Sequence, residues 1–414
     1  MVSHSHIMTG TKDSGEAKRV RRLYEERPYP GAEESALKHK AWKFAPLEWL
    51  TALWRPGRKD PAPNRILVAG CGTGREAFSL RRKCPKAEIV AVDFSPRSIS
   101  IARKLQQHLP EMRNIRFLVA NLLNRHLAGT VGRDFDFISC HGVLSYIPAP
   151  TQALANLARC LKPDGALYLG VNGAQHPSVG GRRFLSAFGF DLAEYRESPR
   201  VRHLLKLSDA ILGNPRLGRV SNAKANYLAG DLFGPLIHNL PLSDWVEIAC
   251  AAGLHFQGNY ACWRQLRTAM EKDYPRLLIP KSRLELCEIM ESLRPESFHR
   301  LLFTLQRHCN PPWEDSNALW DWRPVLTGLY PNRLPKRLRS WQSLRAVTFK
   351  SPATNTRLDW QMPEWELELL RHSNGRHSLR SLLQRTPISI PPALLTQQLY
   401  ALHQLAVLCL QPPA

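Results

Sequence analysis

The chain has 414 residues, 43% of them hydrophobic and 22% charged, a globular composition that excludes a largely disordered protein. No stretch approaches the roughly 18–20 uninterrupted apolar residues of a membrane span, and the polar start, Met1 to Ala17, has no apolar signal-peptide centre. Lys and Arg number 57 against 35 Asp and Glu, a formal charge of +22 that suits either a polyanionic partner or a merely Arg-rich surface.

The length predicts two or three domains. Nine cysteines are scattered with no C-x-x-C pair, which excludes a secreted disulfide framework and a zinc ribbon. They read as buried, reduced thiols of a cytoplasmic protein, and no metal-ligating constellation stands out.

From residue 64 to 171 strands and helices alternate. Short apolar strands are predicted at Arg65–Ala69, Glu88–Val92, Ile115–Ala120, Phe135–Cys140 and Ala166–Val171. Helices are predicted at Arg75–Lys83, at Ser95–His108 with Ser95 as N-cap, and at Thr151–Leu161. This alternation predicts an α/β fold with a doubly wound, Rossmann-like parallel sheet.

Residues 172 to about 240 break the rhythm. They are rich in Gly, Arg and Pro, carry a helical piece at Phe184–Tyr195, and read as an insertion. A helix at Ser243–Ala252 and a strand-like Leu254-His255-Phe256 resume the pattern. Residues 264–310 read as mostly helical, including Phe298–His308, and 311–350 as linker or loosely packed. Helices at Glu364–His372, Leu379–Arg385 and Ala393–Ala406, followed by Val407-Leu408-Cys409-Leu410, predict a small C-terminal winged-helix-like unit. The expected organisation is therefore an N-terminal lid segment (1–45), a ligand-binding domain (46–263), a helical and linker region (264–350) and a C-terminal unit (351–414).

The strongest chemical signal is Gly70-Cys71-Gly72-Thr73-Gly74, between the first strand and the first helix. Glycines at alternate positions let a ligand approach the backbone closely, and the helix that follows presents unpaired N–H groups. Asp93 comes nineteen residues after Gly74, at the end of the second strand, where an acid can accept hydrogen bonds from both hydroxyls of a ribose. The loop is G-x-G-x-G rather than the G-x-G-x-x-G that packs against a pyrophosphate, so an adenosine ligand without pyrophosphate fits better.

On these residues the chain resembles the class I S-adenosylmethionine-dependent methyltransferases, firmly over 64–171 and weakly to about 260. The resemblance implies S-adenosyl-L-methionine as cofactor, its amino-acid end wrapped by Gly70, Gly72 and Gly74 and its ribose held by Asp93. The family's usual acid just ahead of the first glycine is missing, for Ala69 stands there, and Glu76 is a partial substitute toward the cofactor's ammonium group. At the end of the third strand, Asn121-Leu122 occupies the adenine-binding position, and Asn121 accepts there through its carbonyl oxygen or is only a helix cap. The fourth strand runs into His141 and Tyr146, which the family places beside the methyl group and acceptor. His141 is either a general base or positioning group, or a satisfied histidine in a tight turn.

A second resemblance is shorter. Tyr24-Glu25-Glu26-Arg27-Pro28-Tyr29-Pro30, and Asp231-Leu232 leading to His238, look like segments of a bacterial methyltransferase branch often fused to tetratricopeptide repeats. Such repeats are missing here, and the C-terminal unit resembles a methyltransferase regulatory domain. Tyr24 and Tyr29 read as an aromatic cover on the substrate side of the pocket or as simple N-terminal packing. Asn310-Pro311-Pro312-Trp313 spells the tetrapeptide of amino-methyltransferases but lies far beyond the fourth strand, so it reads as chance. The basic run Arg333, Lys336, Arg337, Arg339, Arg345, Lys350 around Trp341 reads as a solvated face before a nucleic-acid surface.

The reading is methyl transfer to an acceptor, protein side chains ahead of a small metabolite and RNA third. The alternative is a cofactor-binding regulatory or scaffold protein without turnover.

Overall fold

The computed structural model describes residues 15–30, 45–58, 62–190, 198–212, 228–270, 281–306, 311–329, 346–350, 357–361, 364–385 and 391–413. The chain divides into two compact units. The first holds residues 1–45, 63–256 and 291–306, and the second 46–62, 257–290 and 307–414.

The predicted strands are present: β1 (Arg65–Ala69), β2 (Glu88–Asp93), β3 (Ile115–Val119), β4 (Phe135–His141), β5 (Leu161–Asn172) and β6 (His255–Asn259). With β7 (Phe298–Thr304) they form a seven-stranded sheet in the order β3-β2-β1-β4-β5-β7-β6. Strands β1 to β5 pair in parallel, and β7 runs antiparallel to β5. Parallel strands covered on both faces need continuous apolar runs. Ile66 to Ala69 supply one, and Phe137, Ile138, Leu167 and Leu169 supply others, all fully buried.

β7 corrects the helix expected at 298–308. Leu301, Leu302 and Phe303 are consecutive and all fully buried. A surface helix would turn one of them toward water, whereas an inner strand buries both faces.

The helices of the first part of the chain are α1 (Gly15–Glu26), α2 (Leu47–Trp54), α3 (Arg75–Lys83), α4 (Pro96–Gln107), α5 (Leu127–Val131) and α6 (Pro150–Ala158). Helix α4 starts as its sequence dictates: Ser95 Oγ accepts the Ser98 N–H at 3.1 Å, with Pro96 in the first turn. Its Ile99, Ala102 and Leu105 face the core.

The insertion contributes α7 (Pro177–Ala187) and α8 (Pro199–Leu212), so the helix predicted at Phe184–Tyr195 begins seven residues earlier. Leu185, Val201, Leu204 and Leu205 pack with Leu232 and Phe233 into a small core of their own. Helix α9 (Leu242–Ala251) returns the chain to the sheet. Its Trp245 is fully buried, and Nε1 donates to the Asn172 carbonyl at 2.9 Å.

Later elements are α10 (Tyr260–Met270), α11 (Arg283–Leu293), α12 (Ser316–Leu319), β8 (Arg323–Leu326), β9 (Ala346–Lys350), β10 (Arg357–Gln361), α13 (Glu364–His372), α14 (Leu379–Arg385), α15 (Pro392–Gln404) and β11 (Leu408–Gln411). In the second unit the final apolar run is the strand β11, paired antiparallel with β8. Part of the segment expected as linker is therefore sheet. Trp263 Nε1 donates to the Leu405 carbonyl at 2.7 Å, and Trp313 packs edge-on to Tyr400. Asn310 and the basic run from Arg333 to Arg345 lie outside the described residues. Asn310-Pro311-Pro312-Trp313 follows β7 rather than a helix, yet β7 is not the fourth strand.

Among the described residues no helix is long and apolar enough to cross a membrane, and no cluster of three His, Cys, Asp or Glu could hold a metal. The eight described cysteines are free thiols, all but Cys250 buried.

Candidate active site

The strand order reverses between β1 and β4, and in open α/β sheets ligands bind at the carboxyl ends of the strands at such a reversal. The glycine loop lies there. Gly70, Gly72 and Gly74 have φ of +73°, +51° and +91°, backbone that L side chains rarely adopt. Two of them also leave no room: a Cβ at Gly70 would stand 2.3 Å from Val143 Cγ2, and one at Gly72 2.3 Å from the Tyr29 carbonyl oxygen. The N–H groups of Gly70 and Cys71 both donate to the Val92 carbonyl at 2.8 Å, tying the loop to β2.

Asp93 completes that tie. Its Oδ2 accepts the Gly72 N–H at 2.9 Å and its Oδ1 the Ser95 N–H at 3.0 Å. Burial, with a smaller push from nearby Glu25, raises the carboxyl to about 6 against the opposing pull of those N–H groups. Glu25 Oε1 is itself buried without a hydrogen-bond partner.

Between the loop and the ends of β3 and β4 lies a cavity of about 400 Å³. Gly70, Gly72, Glu76, Asp93, Asn121, Leu122, His141, Tyr146, Tyr24 and Tyr29 all line it, whereas Gly74 packs against Phe117 and Ala102. Asn121 and Leu122 form one wall. Asn121 Oδ1 already accepts the Leu123 N–H at 3.0 Å, and the Leu122 carbonyl accepts from Asn156 Nδ2 at 2.8 Å, so this wall is held rigidly.

The N-terminal segment covers the loop. The Tyr29 carbonyl accepts the Thr73 N–H at 3.1 Å, and Arg97 on α4 donates to the Glu25 carbonyl at 2.9 Å. Tyr24 stands edge-on to Phe94, with ring centroids 6.1 Å apart.

The opposite side carries a polar network. Tyr146 donates a short hydrogen bond to Asp231 and accepts from Asn172 Nδ2 at 3.3 Å. Asn172 Nδ2 also donates to Asn239 Oδ1 at 3.1 Å. Burial and then Asp231 push the Tyr24 and Tyr146 hydroxyls well above their ordinary range, so both stay protonated near neutrality. His141 lies at 2.8 Å from the Tyr168 hydroxyl through Nδ1. Its ring stacks on Tyr168, in space that Gly170 leaves open. Burial, helped by Arg300, lowers His141 to about 3, so its imidazole is neutral at any physiological pH.

Sequence reasoning found the walls of this cavity but missed Asp231 and Asn172 as site residues. Asp231 lies 85 positions from Tyr146 across the insertion, and only the short Asp231-Leu232…His238 match drew attention to it. Asn172, at the last position of β5, has no local signature.

Residues 67–167 match the family described as a methyltransferase domain. An uncharacterised protein of Synechococcus sp. is 36% identical over 107 residues, 26% of this chain and 25% of that protein. A ubiquinone biosynthesis O-methyltransferase of Xanthomonas axonopodis pv. citri is 31% identical over 123 residues, 30% of this chain and 47% of that one. The chain thus spans about half or less of the length of these relatives. Among solved structures, PKMT2 from Rickettsia typhi in complex with AdoHcy superimposes with a TM-score of 0.52 at 15% identity, covering 88% of this chain and 75% of that one. That likeness is one of fold. Together with the strand order, the glycine loop and the acid closing β2, the family match identifies residues 67–167 as a class I methyltransferase domain.

Proposed function

We propose that the first unit binds S-adenosylmethionine in this cavity and catalyses transfer of its methyl group to an acceptor entering beside His141 and Tyr146. The observation that carries the reading is Asp93, a buried carboxylate bonded to the glycine loop at the closed end of β2, in a cavity of about 400 Å³. That volume lies within the roughly 300–1,000 Å³ of small-molecule sites. Glycines stripped of Cβ on the cavity wall and an unpartnered Glu25 oxygen nearby suit a close-fitting polar ligand. Bound there, S-adenosylmethionine supplies a methyl group already activated on a sulfonium.

The chain's own residues then have three tasks. Asp93 accepts from the ribose hydroxyls, and Asn121 and Leu122 frame the adenine. Tyr24 and Tyr29 keep water out. His141, neutral and wedged, and Tyr146, fixed between Asp231 and Asn172, orient the acceptor. Alignment of donor and nucleophile supplies most of the acceleration in such a transfer. A protonated Tyr146 and a neutral His141 suit positioning more than proton abstraction, and Asp231 is the acid placed to take a proton through Tyr146. A protein side chain is the favoured acceptor, because the insertion and the second unit give a macromolecule surface to dock on.

The test is transfer of tritium from labelled S-adenosylmethionine into a cell extract, resolved into protein, RNA, lipid and small-molecule fractions, with Asp93→Ala as control. Label in the protein fraction, absent in the control, is the expected result. Label only among small molecules would overturn the choice of acceptor. Cofactor binding without label anywhere would favour a regulatory protein without turnover.

Two further outcomes are expected. Tyr146→Phe loses both hydrogen bonds of its hydroxyl. It should slow transfer about 10-fold or more while leaving cofactor affinity within about twofold, measured by initial rates and by calorimetry. In the ligand-free protein Asp93 is held near 6, so lowering the pH through 6 protonates the group that holds the ribose. Affinity for 5′-methylthioadenosine, which lacks the amino-acid end, should fall over that interval in the wild type and stay level in Asp93→Asn, as calorimetry between pH 5 and 8 would show.

A further inference from the structure

The end of β1 lacks an acid. Val68 and Ala69 are both apolar and fully buried. Glu76, the second residue of α3, is only 5% exposed yet lines the cavity. Its Oε1 accepts from Ser139 Oγ at 2.5 Å. Ser139 on β4 is the register partner of Val68 on β1. The carboxylate therefore stands over the seam between β1 and β4, one residue from the end of β1 at Ala69.

With the cofactor placed as proposed above, its direction along the sheet is set. Asn121 and Leu122 follow β3, Asp93 ends β2, and β1 and β4 come next. Adenine over β3 and ribose over β2 leave the amino-acid end over β1 and β4, where Glu76 is.

Glu76 forms no ion pair among the described residues. The other groups that face it are Cys71, Cys140 and Tyr168, whose ionisation it opposes, and Ser139. Among the described residues Lys83, on its own helix, is the cation that acts on it, and Lys83 donates to the Ala45 carbonyl at 3.2 Å. A carboxylate buried beside a ligand cavity without a cation is costly unless the ligand brings one.

We propose that the Glu76 carboxylate is the counter-ion for the α-ammonium group of the bound cofactor, replacing the acid that the end of β1 lacks. This inference rests on the cofactor reading above.

The test is calorimetry on the full chain with three ligands. These are S-adenosylhomocysteine, its desamino analogue without the α-amino group, and 5′-methylthioadenosine without the whole amino-acid end. The wild type should bind S-adenosylhomocysteine at least about 10-fold more tightly than the desamino analogue. In Glu76→Gln that advantage should vanish, while affinity for the other two ligands stays within about twofold. Burial holds Glu76 at about 7 in the ligand-free protein, so the wild-type advantage should also grow as the pH rises through 7. A wild-type advantage below twofold overturns the proposal without recourse to a variant, as does an advantage that survives in Glu76→Gln. An equal loss of all three ligands in the variant shows a structural role and overturns it too. Failure of the wild type to bind even 5′-methylthioadenosine would overturn the cofactor reading itself.

Discussion

Asp93→Ala is expected to weaken S-adenosylhomocysteine binding by about 100-fold or more, the largest effect of any single change in the cavity. Hydrogen bonds to a charged group contribute roughly 1.5–3 kcal/mol each, and the ribose offers two. The same carboxylate holds Gly72 and Ser95 in place, so its loss also loosens the loop that the ligand lies against. Asp93→Asn separates the two roles because it keeps the shape and one acceptor oxygen.

Stability should move the other way. The folded-state value of Asp93, about 6, lies above its unfolded value, so the group's stabilising contribution is present at low pH and lost as the pH rises through 6. At pH 7.5 the ligand-free protein therefore carries a disfavoured buried charge. Relative to the wild type, the Tm of Asp93→Asn should rise as the pH rises through 6 and fall as it is lowered toward 4. Thermal melts with and without ligand measure both effects. A Tm difference that does not change with pH would mean that the ligand-free protein carries no such disfavoured charge.

Gly72→Ala is the second large effect. The added methyl would stand 2.3 Å from the Tyr29 carbonyl oxygen, a backbone atom that itself accepts from Thr73. Either the loop or the N-terminal segment must move. Gly253→Ala is the control: it shares a positive φ, +81°, its Cβ would meet nothing within 4 Å, and it does not line the cavity. Both variants carry the left-handed backbone penalty of roughly 1–2 kcal/mol. Gly72→Ala alone carries the clash. It should lower cofactor affinity at least about 10-fold beyond Gly253→Ala, because it displaces the N-terminal segment that lies over the loop. Equal affinities in the two variants would show that the N-terminal segment takes no part in binding.

Much of this architecture was legible in the sequence because the relevant signals are local. Five apolar runs separated by helical periods define β1 to β5, since a strand buried on both faces must be apolar throughout. Ser95 and Pro96 mark the start of α4 by the chemistry of the first turn alone. Gly70 and Gly72 announce a close backbone approach, and Asp93 a buried acid at a strand end. Helices α13 and α14 lie where their periodicity placed them.

What the sequence hid depends on partners distant in the chain. The apolar stretch 298–308 fits either helix or strand, and only the free edge of β5 makes Phe298–Thr304 a strand. The final run Leu408–Gln411 likewise becomes a strand because β8 lies beside it, from a segment that resembles a linker in isolation. Neither edge is visible in local periodicity.

The site divides in the same way. The sequence by itself determined the sheet, the glycine loop and the acid that closes β2, because backbone geometry and strand burial constrain residue type at each position. Only the tertiary structure decided that Asp231 and Asn172 hold Tyr146, that His141 is a neutral wedge against Tyr168, and that Glu76 stands over Val68 and Ser139. Those facts arise from burial and from contacts across dozens of residues, and burial, not residue identity, sets the charge each group carries.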